Sequence, residues 1–359
     1  MEKTKKIISI AGARPQFVKT GIMHQSLVQH SRLQHLIIHT GQHYDADMSG
    51  NFFHDLQIPP PAYNLNINRL SHGAMTGRML EAIEAVLMKE MPDMVLVYGD
   101  TNSTLAGALA AKKLHLPIAH IEAGLRSFDN RMPEEINRIL TDRISNLLFC
   151  PTEQAIKNLE QEGYRHFDCE LYLSGDIMFD AALHFSRLGQ PKGFAAAPFL
   201  LTTLHREETI TSPGRLRHIV KELNRLQQSI NILFPAHPRT KAALENLEEE
   251  ICFMMVPPMG YLDMLQALAQ CSCVITDSGG LQKEAYFFRK PCITLRDTTE
   301  WTELVNAGVN MLWKEGDSLA ALYTSFMEKG PDFSQAFYGT GKSCDFIAEK
   351  VLAFINRTR

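Results

Sequence analysis

The chain has 359 residues, 45% of them hydrophobic and 21% charged, with a formal net charge of −4. That length exceeds one ordinary core and argues for two domains. The mild acidic balance excludes a bulk nucleic-acid or membrane-surface binder, and no apolar run reaches the roughly 18 residues of a transmembrane helix.

The N-terminal run before Arg14-Pro15 is short, and reads as a first strand rather than a signal peptide. Strands are predicted at Lys6–Ile10, Leu36–Thr40, Met94–Tyr98, Ile118–Ile121 and Leu147–Cys150. Helical patterns such as Thr76–Met88 and Thr104–Lys113 lie between them, which is the alternation of a parallel sheet. The pattern restarts with Leu171–Ser174, Phe199–Thr202, Ile230–Phe234, Cys252–Val256, Val274–Thr276 and Cys292–Leu295. The expected class is therefore α/β with two doubly wound, Rossmann-like domains facing a cleft, where ligands bind by preference. Residues 1–170 form the first domain and 171–339 the second; Gln190–Pro198 reads as a surface loop. Gly339–Arg359 reads as a turn and an amphipathic helix with Phe346, Ile347, Val351, Leu352 and Ile355 on its apolar face.

Seven cysteines, an odd number, sit mostly in apolar runs such as LLFC and CSCVIT, without any Cys-x-x-Cys pair. They read as reduced thiols of a cytoplasmic protein, with no zinc site expected.

The candidate chemistry lies at strand ends. Asp100 directly follows the apolar run Val95–Gly99, Glu122 follows Ile118–Ile121, and Glu134 opens a helix behind Pro133. Each has a structural reading: a capping acid, a partner for Arg126, an acid favoured by a helix dipole. Three together at strand ends of one domain favour an enzyme's acid/base site. Arg14 and Lys19 follow the first strand near a helix start, where free N–H groups favour an anion. Thr40–Asp45 is a dense polar loop tip. His205 and His237 each follow a strand in the second half. The segment Asp277–Glu284 is its sharpest feature: Ser278, Gly279 and Gly280 let a diphosphate approach a helix N-terminus, and Glu284 can accept two ribose hydroxyls. Arg296 adds a cation after the next strand. The three-glycine dinucleotide fingerprint is missing, which disfavours hydride chemistry. The residues describe a nucleotide-sugar enzyme.

The motifs GARPQFVK, TGQHYD, YGDTNSTLAGALAA, HIEAGLRS, PEEINR, SGDIMFD, HREE, AHPR, DSGGLQKEA and YGTGK, in order over about residues 8–342, resemble the non-hydrolysing UDP-N-acetylglucosamine 2-epimerases. The resemblance implies the GT-B type architecture, a C-terminal helix (residues 340–359) crossing back to the first domain, a homodimer, a UDP-sugar substrate, and neither cofactor nor metal. It implies an isomerase that eliminates UDP to a glycal and re-adds it with C2 inverted. Asp100, Glu122 and Glu134 are jointly implied in proton transfer and oxocarbenium stabilisation, with the face served by each left open. His205 is implied to assist the leaving phosphate. Arg14, Lys19, His237, Ser278, Gly279, Gly280, Glu284 and Arg296 are implied to bind UDP or substrate, and Tyr261 to lie near the uracil.

One stretch, Leu70–Met75, departs from the Gly-Gln-Ser-Leu-like segment that the resemblance associates with a second, activating UDP-GlcNAc site. The local text SHGAMTGRML, GLRSFDNRMPEE and LRDTTEWTEL is instead similar to a branch acting on UDP-2,3-diacetamido-2,3-dideoxy-glucuronic acid for O-antigen sugars. Its carboxylated sugar calls for a further cation, for which Arg126, Arg131 and Arg206 are candidates. Plain UDP-GlcNAc is the rival substrate. The rival activities are those of a hydrolysing epimerase, a glycosyltransferase of the same architecture and an inactive nucleotide-sugar sensor.

Overall fold

The computed structural model describes residues 4–42, 50–188, 193–194 and 198–357. His43, Tyr44 and Asp45 of the polar loop, and most of the loop expected at 190–198, lie outside the described residues.

Buried β-branched runs make the strands. β1 (Lys5–Ala11), β2 (Leu33–His39), β3 (Tyr63–Asn64), β4 (Met94–Tyr98), β5 (Ile118–Ile121), β6 (Leu147–Cys150) and β7 (Glu170–Leu173) form one sheet in the order β3-β2-β1-β4-β5-β6-β7. β8 (Phe199–Thr203), β9 (Asn231–Pro235), β10 (Met254–Val256), β11 (Cys273–Thr276), β12 (Cys292–Thr294) and β13 (Asn310–Leu312) form a second, β10-β9-β8-β11-β12-β13. Every pairing among the described residues is parallel. Central strands such as Met94–Tyr98 are buried along their whole length, as both faces of a parallel sheet are covered.

One strand assignment is corrected. The run at 171–174 was expected to start the second sheet, but it pairs with β6 in the first. Its residues are half-buried, and Leu173 is exposed, as an edge strand allows, so apolarity alone could not assign its sheet. The chain divides into two compact units, Met1–Ala181 with Phe337–Arg359, and Ala182–Ala336. The C-terminal helix, Ser343–Arg357, packs on the first helix, Arg14–Val28, within the first unit.

Each unit has its own core. In the first, Ile8, Ile10, Val95 and Val97 meet Met79, Ile83 and Leu87 of the helix His72–Glu90. In the second, Leu200, Ile232, Phe234 and Ile275 meet Leu216, Ile219 and Leu223, with Trp313 fully buried. Each large apolar side chain so buried contributes about 1.5–3 kcal/mol.

The winding fixes where a ligand goes. Strand order reverses between β1 and β4 in the first sheet and between β8 and β11 in the second. The loops leaving the carboxyl ends of such strand pairs splay to opposite faces and open a crevice.

Candidate active site

At the first crevice, a cavity of about 390 Å³ is lined by Ala13, Pro15, Gln16, Lys19, Gly99, Asp100, Glu122, Glu134, Asn137 and Arg138, among others. The three acids singled out in the sequence share this one cavity with Lys19. Several local features bring them there. The chain leaves β1 through Gly12, where any Cβ would collide with the side chains of Ser103 and Thr40. Gln16 then ties the two strand exits together: its Oε1 accepts from Gly12 N at 2.8 Å, and its Nε2 donates to Tyr98 O at 2.7 Å.

Gly99 turns the chain out of β4 with φ +63, and a Cβ there would sit 3.2 Å from Glu122 Oε2. Asp100 follows. It does not cap the next helix, a role taken by Thr101, whose side chain accepts from Thr104 N. Its carboxylate accepts from Arg138 Nη2 at 2.6 Å, and its carbonyl from Asn137 Nδ2 at 2.8 Å. Arg138 is held in turn by Glu135, which also accepts from the Ser127 and Phe128 amides. Glu135 is buried, and those two amides with the Arg138 guanidinium keep its carboxyl below the usual range despite that burial.

Glu122 is paired with Lys19, not with Arg126. Its backbone lies at φ +75, a left-handed conformation that costs a non-glycine residue on the order of 1 kcal/mol. Its amide donates to Phe149 O, so the sheet itself holds the strained residue in place. Such strain collects at functional positions. Glu134 stands in the first turn of the helix Pro133–Ile144, exposed, with no ion-pair partner among the described residues. Two of the three acids are thus held by a cation, and the third is open to solvent.

Arg126 is corrected as a candidate for a sugar carboxylate. Its side chain is 1% exposed and its guanidinium is committed to Asp142 at 2.7 Å and Glu162 at 2.7 Å. Burial opposes its charge, but the two carboxylates outweigh that and raise its pKa. Arg131 is exposed and bound to Asp129, and Arg206 is bound to Glu208. Arg14 opens its helix beside the cavity-lining Ala13 and Pro15 and is exposed.

At the second crevice, Asp277 follows β11 and is fully buried. Its carboxylate accepts from the His205 amide at 3.1 Å and the Arg206 amide at 3.1 Å, and lies 3.4 Å from His205 Nδ1. This acid, passed over in the sequence as the first letter of DSGG, anchors the His205 loop to the Ser278 turn. Ser278 caps the helix Gly279–Phe287, accepting from Leu281 N. Gly280 has open space at the Cβ position. Arg296 follows β12 and is paired with Glu300 at 2.7 Å. His237 caps the helix Pro238–Glu245, its Nδ1 accepting from Arg239 N. Tyr261 begins the helix Tyr261–Gln270, its ring edge-on to Phe185. Glu284 lies one turn into its helix, half-buried.

Sequence reasoning missed Gln16, Asn137, Arg138 and His72, all of which line the first cavity. His72 falls in the departing stretch Leu70–Met75 and lies 3.2 Å from Asn102 Nδ2. Only the i, i+3/i+4 spacing of Glu134, Asn137 and Arg138 could have placed these on one helix face.

Residues 25–352 match the family model described as UDP-N-acetylglucosamine 2-epimerase. The chain is 50% identical, over 96% of its length and 98% of the relative, to a UDP-2,3-diacetamido-2,3-dideoxy-D-glucuronate 2-epimerase of Pseudomonas aeruginosa. Among solved structures, the UDP-GlcNAc 2-epimerase of Methanocaldococcus jannaschii superposes with a TM-score of 0.86 at 38% identity, covering 97% of this chain and 99% of that one. The same archaeal enzyme in complex with UDP-GlcNAc and UDP gives a TM-score of 0.78, covering 98% and 100%. The expected architecture, two Rossmann-like domains of the GT-B class, is borne out by these likenesses and by the two parallel sheets.

Proposed function

The chain belongs to the UDP-N-acetylglucosamine 2-epimerase family, and from that premise we propose that it inverts C2 of a UDP-linked 2-acetamido sugar without hydrolysing it, the sugar being 2,3-diacetamido-2,3-dideoxy-glucuronate. The observation that carries this reading is the meeting of Asp100, Glu122 and Glu134 in one cavity at a topological switch point.

The chemistry explains why those residues are needed. C2 of such a sugar has no neighbouring carbonyl, so its proton is not acidic. Elimination avoids the problem. A carboxylate takes the C2 proton while the C1–O bond to UDP breaks, which leaves a glycal and a UDP carrying one more negative charge. Re-addition delivers a proton to the opposite face of C2 and returns the phosphate oxygen to C1. Two proton-handling groups on opposite faces, and a third acid beside the cationic C1, account for three carboxylates. We assign proton handling and C1 stabilisation jointly to Asp100, Glu122 and Glu134, with Lys19 and Arg138 each paired with one of them.

The second unit supplies the leaving-group site. The Ser278 turn, Gly279, Gly280 and Arg296 offer backbone donors and a cation to a diphosphate, with His205 assisting the departing phosphate and Glu284 on the ribose. Tyr261 and His237 complete the nucleotide site, and Arg14, at the first unit's helix start, is assigned to substrate or UDP binding. The 50% identity to the glucuronate epimerase supports the carboxylated sugar, with Arg131 and Arg206 as the cations left for it. The archaeal complex with UDP-GlcNAc supports that sugar as the second reading.

We place the protein in the cytoplasm as a homodimer. Its seven cysteines are free, and burial pushes the Cys271 and Cys292 thiols up to about 12, so they are inert thiols. Sedimentation of the purified protein tests the dimer. Incubation with each UDP-sugar, followed by NMR of the C1 and C2 protons, tests the substrate. The reading expects inversion of the diacetamido-uronate; turnover of UDP-GlcNAc alone overturns the sugar assignment. Release of free UDP with free sugar points to hydrolysis, and consumption only with an added acceptor points to glycosyl transfer.

A further inference from the structure

His120 of β5 is fully buried, and both of its ring nitrogens face oxygens. Nδ1 lies 2.6 Å from Asp142 Oδ1, and Nε2 lies 2.7 Å from the carbonyl oxygen of Gly99. A backbone carbonyl can only accept, so Nε2 carries a proton. The other oxygen of Asp142, Oδ2, accepts from Arg126 Nη1 at 2.7 Å and from the Gly124 amide at 3.1 Å.

We propose that His120 is the positioning residue that fixes the proton-handling acids of the first cavity. The consequence follows from what it holds. The Gly99 amide donates to Ile121 O, and the Gly99 carbonyl, which lies in the peptide plane leading to Asp100, is bonded to His120, so Gly99 is held at both its amide and its carbonyl. Asp100 leaves that plane directly, and Glu122 sits two residues after His120 on the same strand exit. Asp142 comes from the helix Pro133–Ile144, the helix that also presents Glu134, Asn137 and Arg138. One buried side chain therefore ties the exit of β4, the exit of β5 and the acid-bearing helix into a single frame. Its own side chain does not line the cavity.

The proposal rests on the epimerase reading for its kinetic part only, and the test keeps the two apart. In His120→Asn that is folded by circular dichroism, the ¹³C carboxyl shift of Asp100 is expected to move and kcat to fall about 100-fold with KM within threefold, the cost of an acid displaced by about 1 Å. An unmoved Asp100 signal overturns the positioning role, even if the native protein turns over neither sugar. If the variant does not fold, Asp142→Asn takes its place: the same shift at Asp100 is expected, and no change overturns the proposal.

Discussion

The crevice between β1 and β4 and the crevice between β8 and β11 arise from the same winding, yet they are furnished differently. The first gathers acids beside cations: Asp100 with Arg138, Glu122 with Lys19, and Glu134 exposed at a helix start. The second gathers a serine cap and two glycines at a helix start, and the fully buried Asp277 faces the backbone and a histidine. Topology decides where a ligand sits; the two or three residues leaving each strand decide whether that place moves protons or grips an anion. The comparison predicts that damage at the two places reads out in different constants.

The largest effect belongs to the first crevice. Asp100→Asn and Glu122→Gln should each lower kcat about 10³-fold, within the range for a lost proton-transfer group, with UDP affinity by calorimetry unchanged. Loss of UDP affinity in these variants would dissolve the distinction. Next comes the Lys19 pair. Lys19→Met leaves Glu122 largely buried without its cation, which should cost about 2–3 kcal/mol in urea unfolding; an unchanged midpoint would show that the pair carries no stability.

Acid sharpens the contrast through the first sheet. Burial lowers His35 to about 3 and His39 to about 4, and His35 sits in a chain from His24 to Ser9. Unfolded imidazoles take up protons below about pH 6.5, so between 6.5 and these values the unfolded chain binds more protons than the folded one. Stability is therefore full above pH 6.5 and declines as pH falls, by on the order of 2 kcal/mol at pH 5 from His35 alone. Urea midpoints at pH 7 and pH 5 check this, and His35→Gln should flatten the dependence. The smallest effect belongs to the second crevice: Ser278→Ala and Arg296→Ala should each raise KM about tenfold, worth about 1.4 kcal/mol, with kcat within a few-fold. A fall in kcat matching that of the acid variants would place chemistry where the account places only grip.

Much of the first crevice was legible because its acids follow directly on buried apolar runs, so that Asp100 and Glu122 had to emerge at strand ends. What was not legible is who holds them. Arg138 reaches Asp100 across 38 residues, and Lys19 reaches Glu122 across 103. Pairings at such separations depend on strand order, which the alternation of runs does not specify. Arg126 shows the opposite error. The carboxylated sugar of the resembled branch calls for a pocket cation, while Arg126 is buried in its pairs with Asp142 and Glu162. The 171–174 strand was misassigned for a similar reason, since an edge strand carries the same short pattern in either sheet.

The account stands most directly on proton transfer at C2 by the acids of the first cavity. Turnover of the UDP-sugar in D₂O, followed by NMR, measures it. Native protein should place solvent deuterium at C2 as inversion proceeds, and Asp100→Asn and Glu122→Gln should suppress that exchange about 10³-fold while still binding UDP. Deuterium entering C2 at the native rate in both variants would contradict the account.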